Sequence, residues 1–221
     1  MTQAIVAETQ IIEQQDIRLP NFSNPSFLYV MKAETINKNV RQVKIIPKTD
    51  LKLNLGCGEN ILTGCINIDK ISLPSVDLIL DLEKTPLPFK ENSVSEIRCS
   101  HILEHIVNFL PLMEELYRIC KPHAIIYVSA PYFRYEGAYR DPTHVRFFTE
   151  HSFDYFQAGV KFSHYSQARF KVRKIYLRNH FISSIKNLHK KIIRFLPFKR
   201  LLNIFLWNIY SEINYELEVI K

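Results

Sequence analysis

Three groups of residues in this 221-residue chain have the types and spacing to do chemistry. The first lies in LKLNLGCGENILTGCINID, Leu51–Asp69, where Gly56 and Gly58 follow one apolar run and Asp69 ends the next. Glycines directly after a strand let the backbone turn sharply and approach a ligand closely. An acid at the tip of the neighbouring strand lies at the carboxyl edge of the sheet, where open α/β sheets bind ligands. Such a carboxylate can accept hydrogen bonds from both hydroxyls of a ribose, each worth about 1.5–3 kcal/mol to a charged group. A Gly-x-Gly pair alone also suits an ordinary strand-turn-strand with a solvated Asp. The second group is Ser100-His101-Ile102-Leu103-Glu104-His105. His101–His105 spells HxxEH, the inverted zinc-protease spacing. Zinc would need both histidines on one helical face and a third ligand. Those motifs sit inside a helix, and this one directly follows a strand-like run, so no metal is expected. Glu104, in the first turn of the helix that follows, suits the helix dipole. The third group is Asp141-Pro142-Thr143-His144-Val145-Arg146, after a loop carrying Tyr132, Tyr135 and Tyr139. A histidine titrating near neutrality beside an Asp and an Arg suits proton transfer and anion binding. The same three side chains would also serve as a hydrogen-bonded loop brace.

The elements that must position these groups alternate between strand and helix. Leu51–Leu55 reads as the first core strand, Cys65–Ile68 as the second and Val76–Leu82 as the third. Ile97–Ser100 is the fourth, after a Glu91-Asn92-Ser93 turn. Leu103–Cys120 carries Ile106, Leu110, Met113, Leu116 and Tyr117 at helical spacing and stops before Pro122. Ala124–Ser129 is the fifth strand, Phe170–Leu177 the sixth and Tyr215–Ile220 the last. This alternation implies an α/β fold with a parallel sheet covered on both faces. Upstream, Ile5–Ile17 reads as a short helix or a disordered stretch and Leu19–Pro25 as a breaker cluster. Phe27–Val30 and Val43–Ile46 read as short strands or arm segments. Residues 1–50 are therefore expected to be an extension that packs on the core or meets a partner, and 51–221 the domain proper.

With VDLILDLEKTPLPF, SVSEIRCSHILEHI, ELYRICKPHAIIYVSAPYF and DPTHVRFF following in order, the chain resembles the class I S-adenosylmethionine-dependent methyltransferases. It is most similar to a bacterial group with an LxLGCG opening and an LEH motif after the fourth strand. The resemblance covers roughly Leu51 to Phe156, with a weaker echo in the C-terminal YELEVIK. It implies a Rossmann-like fold: a mostly parallel seven-stranded sheet with helices on both faces and a final antiparallel strand between the fifth and sixth. It implies a methyltransferase with S-adenosylmethionine as cofactor, bound by Asn54, Gly56, Cys57, Gly58, Asp69, Asp81, Leu82, Ser100 and His101. The adenine-reading acid and the N–H after it fall on Asp81 and Leu82, and His101 falls near the sulfonium methyl. Methyl transfer is an in-line displacement at an activated carbon, so alignment supplies most of the catalysis. A hydroxyl acceptor also needs its proton removed. His144 is the first candidate for that base and His101 the second. Tyr132, Asp141, His144 and Arg146 are the candidates for holding the acceptor, Arg146 through a carboxylate or phosphate. The chain departs from the family pattern at Asn54, often an acid, and at Glu59-Asn60, which replace the third glycine. Residues 178–213 form an insertion between the last two strands in place of a tight hairpin.

Composition bounds the remaining choices. With 47% hydrophobic and 23% charged residues, the chain can bury the core of one globular domain. The longest apolar candidate, Leu201–Tyr210, is far short of the ~20 residues of a spanning helix. MTQAIVAETQIIEQQD lacks the features of a signal peptide. Cys57, Cys65, Cys99 and Cys120 show no metal or disulfide spacing, so buried thiols in a reducing cytoplasm are expected. The net charge of +7 is uneven: Tyr155–Ser211 holds twelve Lys and Arg and no acid, leaving 17 basic against 22 acidic residues elsewhere. That asymmetry points to an anionic partner. Within it, SSIKNLHKKIIRFLPFKRLLNIFLWNIY reads as a basic amphipathic helix broken near Pro197. It would pack on the sheet, lie on an anionic membrane at the inner face, or contact RNA phosphates.

The expected acceptor is a small molecule or a glycan or glycolipid precursor. An RNA methyltransferase is the alternative, although Ser100-His101 stands where its Asn-Pro-Pro-Tyr-type loop belongs, and nucleic acid is not the expected partner. A nicotinamide oxidoreductase needs GxGxxG and an acid about 20 residues on. Here Ile61 takes the third glycine position and Asp69 follows Gly58 by eleven residues. A non-catalytic module that binds an adenosine ligand is the remaining reading.

Overall fold

Leucines at alternate positions of Leu51–Leu55, with Asn54 buried between them, make a strand covered on both faces, as the middle of a parallel sheet requires. The computed structural model describes residues 32–35, 41–44, 50–161, 163–179 and 198–221. Two short strands, β1 (Lys32–Thr35) and β2 (Arg41–Lys44), pair antiparallel in a sheet of their own. Ile5–Ile17, Leu19–Pro25 and Phe27–Val30 lie outside the described residues.

The main sheet has seven strands: β3 (Leu51–Leu55), β4 (Ile66–Asp69), β5 (Leu78–Ile79), β6 (Val94–Ser100), β7 (Cys120–Pro131), β8 (Phe170–Arg178) and β9 (Glu212–Val219). Their order across the sheet is β5-β4-β3-β6-β7-β9-β8. β3, β4, β5, β6 and β7 pair parallel, and β9 runs antiparallel between β7 and β8. The expected topology is therefore present, including the final strand slotted between the fifth and sixth. Lying between two neighbours makes β9 buried on both faces, and Ile213, Tyr215, Leu217 and Val219 supply its apolar side chains.

The helical stretch expected over Leu103–Cys120 divides in two. A 3-10 turn covers Leu103–His105, and α1 (Phe109–Ile119) begins only after a break. The Glu83 carboxylate explains the break: it accepts the Val107 N–H at 2.6 Å and the Asn108 N–H at 2.9 Å. An acid there satisfies N–H groups that have no helical partner and meets the positive end of the helix dipole. Two short helices follow, α2 (Gly137–Arg140) and α3 (Lys199–Phe205).

Phe109, from the first turn of α1, meets Phe148, Phe153 and Phe156 at 6.1–6.2 Å between ring centres. Phe153 in turn packs edge-on against Tyr215 of β9 at 4.7 Å. Each such buried side chain contributes about 1.5–3 kcal/mol, so this aromatic layer pins the segment after β7 onto the sheet. On β8 and β9, Arg173 reaches Glu218 at 3.3 Å and Lys174 reaches Glu216 at 3.6 Å. Part of the basic excess of the C-terminal third is thus answered inside the fold.

A second tie holds the loop after β5. Buried Glu115 of α1 accepts the Leu87 N–H at 2.7 Å and pairs with Arg118 at 2.5 Å. The Arg118 guanidinium donates onward to the Leu87 and Phe89 carbonyls at 3.2 and 2.8 Å. Glu115→Ala leaves both the guanidinium and the Leu87 N–H without a partner. We expect a loss of about 3 kcal/mol, read as a lower urea midpoint with an unchanged slope.

Candidate functional site

Where β3 leaves the sheet, Gly56 (φ 61°) and Gly58 (φ 50°) take backbone angles that side chains resist. A Cβ on Gly56 would lie 2.4 Å from Cγ1 of Ile102, which follows β6, whereas nothing stands within 4 Å of the same position on Gly58. The Gly58 N–H donates to Asp69 Oδ2 at 2.8 Å and the Ile71 N–H to Oδ1 at 3.0 Å. Each carboxylate oxygen is thereby oriented and keeps a lone pair. The glycine turn and the β4 acid are one unit.

Asn54 and Cys57 support that unit from within rather than facing a ligand. The Asn54 amide donates to the Asn60 carbonyl at 2.8 Å and to Asn67 Oδ1 at 2.9 Å. Asn67 is held by Asp77 and accepts the Leu62 N–H. This buried network closes the short link between Gly58 and β4. Burial pushes the Cys57 thiol up to about 11, helped by Asp69, so the residue offers its backbone and no thiolate. All four cysteines are buried and free.

Asp81 lies just past β5, two residues before Glu83. Its Oδ1 accepts the Glu83 N–H at 3.1 Å, and Lys84 stands 3.6 Å from Oδ2. The Leu82 side chain is in the core, which leaves only its main chain to face a ligand.

Ser100 ends β6, exposed, and His101 follows with φ 52°. A non-glycine residue in that region costs on the order of 1–3 kcal/mol and marks functional sites. The His101 N–H donates to the Ser129 carbonyl at 2.9 Å. Its ring lies between two carboxylates, Glu104 Oε1 at 3.3 Å from Nδ1 and Glu212 Oε2 at 3.1 Å from Nε2. Glu104 first, then Glu212, raise its pKa to about 9. At neutral pH this favours the imidazolium, which has no free lone pair for the role of second candidate base.

Glu104 is 1% exposed, and neither carboxylate oxygen has a hydrogen-bond partner; His101 approaches Oε1 outside hydrogen-bond geometry. The Val145 N–H donates to the Glu104 carbonyl at 2.9 Å, drawing the DPTHVR loop onto this turn. His105 and His144 thereby meet at 4.7 Å between ring centres. Asp141 Oδ1 accepts both the N–H and the hydroxyl of Thr143, at 2.8 and 2.6 Å. Those bonds hold the Asp141 carboxyl below the usual range, with His144 a smaller contributor.

Two expected acceptor contacts are placed otherwise. The Arg146 guanidinium donates to the Ile106 and Val107 carbonyls at 3.0 and 3.3 Å and lies over the Phe109 ring at 4.3 Å. It braces the break before α1. The Tyr132 hydroxyl donates to Glu150 and accepts from Asn203. That tyrosine lines a cavity of about 680 Å³ with Arg134, Glu150 and Asn203, to which none of the glycine-rim residues contributes. Sequence reasoning missed Glu212 and Thr143. Glu212 is 111 positions from the ring that it touches, so no local pattern points to it. Thr143 two residues after an Asp is a readable Asx turn.

No protein-family model matches the chain, and no curated protein matches it by sequence. Solved structures do. An S-adenosylmethionine-dependent methyltransferase from Archaeoglobus fulgidus superposes with a TM-score of 0.52 at 15% identity, covering 77% of this chain and 86% of that one. The YcgJ protein of Bacillus subtilis gives 0.50 at 15% identity, over 80% and 93%. The chain has the class I methyltransferase fold. Within that fold, the glycine turn, Asp69 and Asp81 all stand at the carboxyl ends of parallel strands.

The His101 clamp carries a pH signature. Its folded pKa of about 9 lies above the unfolded value of about 6.5. The stability it contributes is complete below about pH 6.5 and is lost as pH rises through about 9. Thermal melts of wild type and His101→Gln should differ most near pH 6 and converge above pH 9. A difference that grows with pH would rule out the clamp.

Proposed function

We propose that the chain transfers a methyl group from S-adenosylmethionine to an oxygen of a small-molecule or glycan or glycolipid precursor. Bound, that cofactor supplies an electrophilic methyl carbon on a positively charged sulfur. The Asp69 carboxylate, oriented by two backbone N–H groups beside an open glycine turn, carries the reading. Its free lone pairs are those a ribose diol would use, and Gly58 leaves room for close approach. Asp81 and the Leu82 backbone complement an adenine edge. Ser100 and His101 are assigned to the methionine side, where the Glu104 and Glu212 side chains flank the His101 ring.

For a hydroxyl acceptor, His144 is the better base. A carbonyl only accepts, so His144 Nδ1 must donate to the Ala138 oxygen 2.8 Å away, leaving a lone pair on Nε2. Asp141 Oδ2, 3.9 Å from Nε2, would steady the imidazolium formed when that nitrogen takes a proton.

The acceptor side is bound to an apolar surface. Arg134 donates to the carbonyls of Asn203 and Ile204 in α3, and Tyr139 packs between Phe147 and Trp207 at 4.4 and 5.9 Å. Phe198, Leu201, Ile204, Phe205 and Trp207 are each more than half exposed. Among the described residues no helix is long and apolar enough to cross a membrane. A peripheral position on an anionic bilayer fits this surface, and with it a lipid-linked acceptor. The basic stretch before it, residues 180–197, lies outside the described residues.

S-adenosylhomocysteine should raise the melting temperature. At 100-fold above Kd the gain is about 2.7 kcal/mol, or roughly 5–10 °C for a chain of this size. Asp69→Ala should abolish the shift, and a shift with NAD in its place would reject the assignment. The chain should also sediment with anionic liposomes at low salt, and the pair Phe205→Ser and Trp207→Ser should weaken that binding several-fold. Failure of the wild type to sediment would remove the membrane from the proposal.

A further inference from the structure

Three side chains beside the cofactor rim turn only acceptor atoms toward one another. A Glu104 oxygen and one ring nitrogen each of His105 and His144 lie within 4.8 Å of one another. His144 Nδ1 is committed to the Ala138 carbonyl. The Thr143 hydroxyl spends its hydrogen on Asp141 at 2.6 Å, so it accepts from His105 Nδ1 at 2.8 Å. Both imidazoles are thereby set in the tautomer that leaves Nε2 with its lone pair. A hydrogen bond that fixes one ring nitrogen while the other stays unprotonated is the usual support of a metal-bound histidine. The third member, Glu104, is a buried carboxylate: His101 meets its Oε1 at 3.3 Å, while Oε2 has no hydrogen-bond partner among the described residues and can serve as a ligand atom.

We propose that Glu104, His105 and His144 form a divalent-cation site. Two imidazoles and one carboxylate match the donor set of catalytic zinc sites with an open position, and they suit zinc or iron(II) better than magnesium or calcium. Ligands on bonds of about 2.0–2.2 Å stand roughly 3.4 Å apart in a tetrahedron, so the three groups close inward by about an ångström on binding. This differs from the HxxEH reading of the sequence: His101 is not a ligand but a charged neighbour of Glu104, and the second histidine comes from the DPTHVR loop.

The site stands without any assumption about methyl transfer, but its use rests on that reading. An acceptor hydroxyl in the open position would lose its proton to solvent more readily, as metal-bound water does. Its oxygen then forms the C–O bond as the C–S bond breaks, and that electron pair returns to sulfur. The products are a methyl ether, the neutral thioether and one proton. With a cation bound, His144 is a ligand and its Nε2 no longer takes the acceptor's proton, so in this arrangement the cation replaces His144 in the base role.

The full chain, stripped with chelator, is titrated with cobalt(II) and with zinc(II). We expect one equivalent of each and visible d–d bands for cobalt in a low-symmetry site. Glu104→Gln and His144→Asn should abolish the bands. Thr143→Val keeps all three ligands but frees the His105 ring, and should weaken zinc about 10–100-fold; Thr143 is exposed, so this variant does not threaten the fold. Absence of bands at millimolar cobalt in the wild type, or zinc affinity unchanged in Glu104→Gln, overturns the proposal. Melting with S-adenosylhomocysteine on the same metal-free chain reports the rim separately. Cobalt binding without that shift would retire methyl transfer and keep the cation site.

Discussion

The loops leaving β3 and β6 touch with no space between them, at Gly56 and Ile102. Any Cβ at Gly56 would penetrate the Ile102 side chain, and the backbone there already has a positive φ that favours glycine. β3 and β6 are the neighbours at which the chain's crossovers change direction in the sheet, the place where such sheets open a crevice. With Ile102 seated against the glycine turn, the chain must drop from His101 into the 3-10 turn. That turn carries Glu104 inward. The glycine turn and the turn that carries Glu104 are held together by this one contact.

On either side of the contact, polar groups are treated in opposite ways. Asp69 and Asp81 each take a neighbouring backbone N–H, so their carboxylates are held in place without help from a ligand. The His101 ring and its two glutamates likewise satisfy one another by charge. Beyond it, Glu104 Oε2 has no hydrogen-bond partner among the described residues, and the His105 and His144 rings make their hydrogen bonds through Nδ1. The contrast argues for a positively charged guest there.

The sequence made some of this legible and hid the rest for identifiable reasons. Strand positions and the glycine–Asp69 spacing could be read because they depend on local runs, and β4, β6 and β9 start within three residues of where the apolar pattern places them, whereas the place of β9 between β7 and β8 is implied by the family resemblance alone. The break between His105 and Phe109 could not, because its cause is the Glu83 carboxylate, 24 and 25 positions away. Arg146 looked like an anion clamp for a related reason. An exposed loop arginine and one folded over Phe109 have the same local sequence. HxxEH suggested a pair of zinc histidines only if the stretch were an α-helix. The stretch is instead a left-handed His101 (φ 52°) followed by a 3-10 turn over Leu103–His105, and in that arrangement the His101 ring meets Glu104 while His105 turns to the DPTHVR loop.

The charge asymmetry changes meaning once the sheet is assembled. Basic residues of β8 face acids of β9, so a string of Lys and Arg with no local counter-charge is partly a cross-strand ladder. This weakens the case for RNA and shifts attention to the apolar side chains around α3. The two sides are mechanically joined: Arg134 grips two α3 carbonyls, the Asn208 N–H returns to the Arg134 carbonyl, and the Asn208 side chain accepts the Glu136 N–H. A few residues later the same loop supplies Ala138, whose carbonyl fixes the His144 tautomer. Whatever seats α3 on a surface therefore bears on the backbone that aims His144. The position of α3 and the orientation of the His144 ring are thus coupled through the short stretch from Arg134 to Ala138.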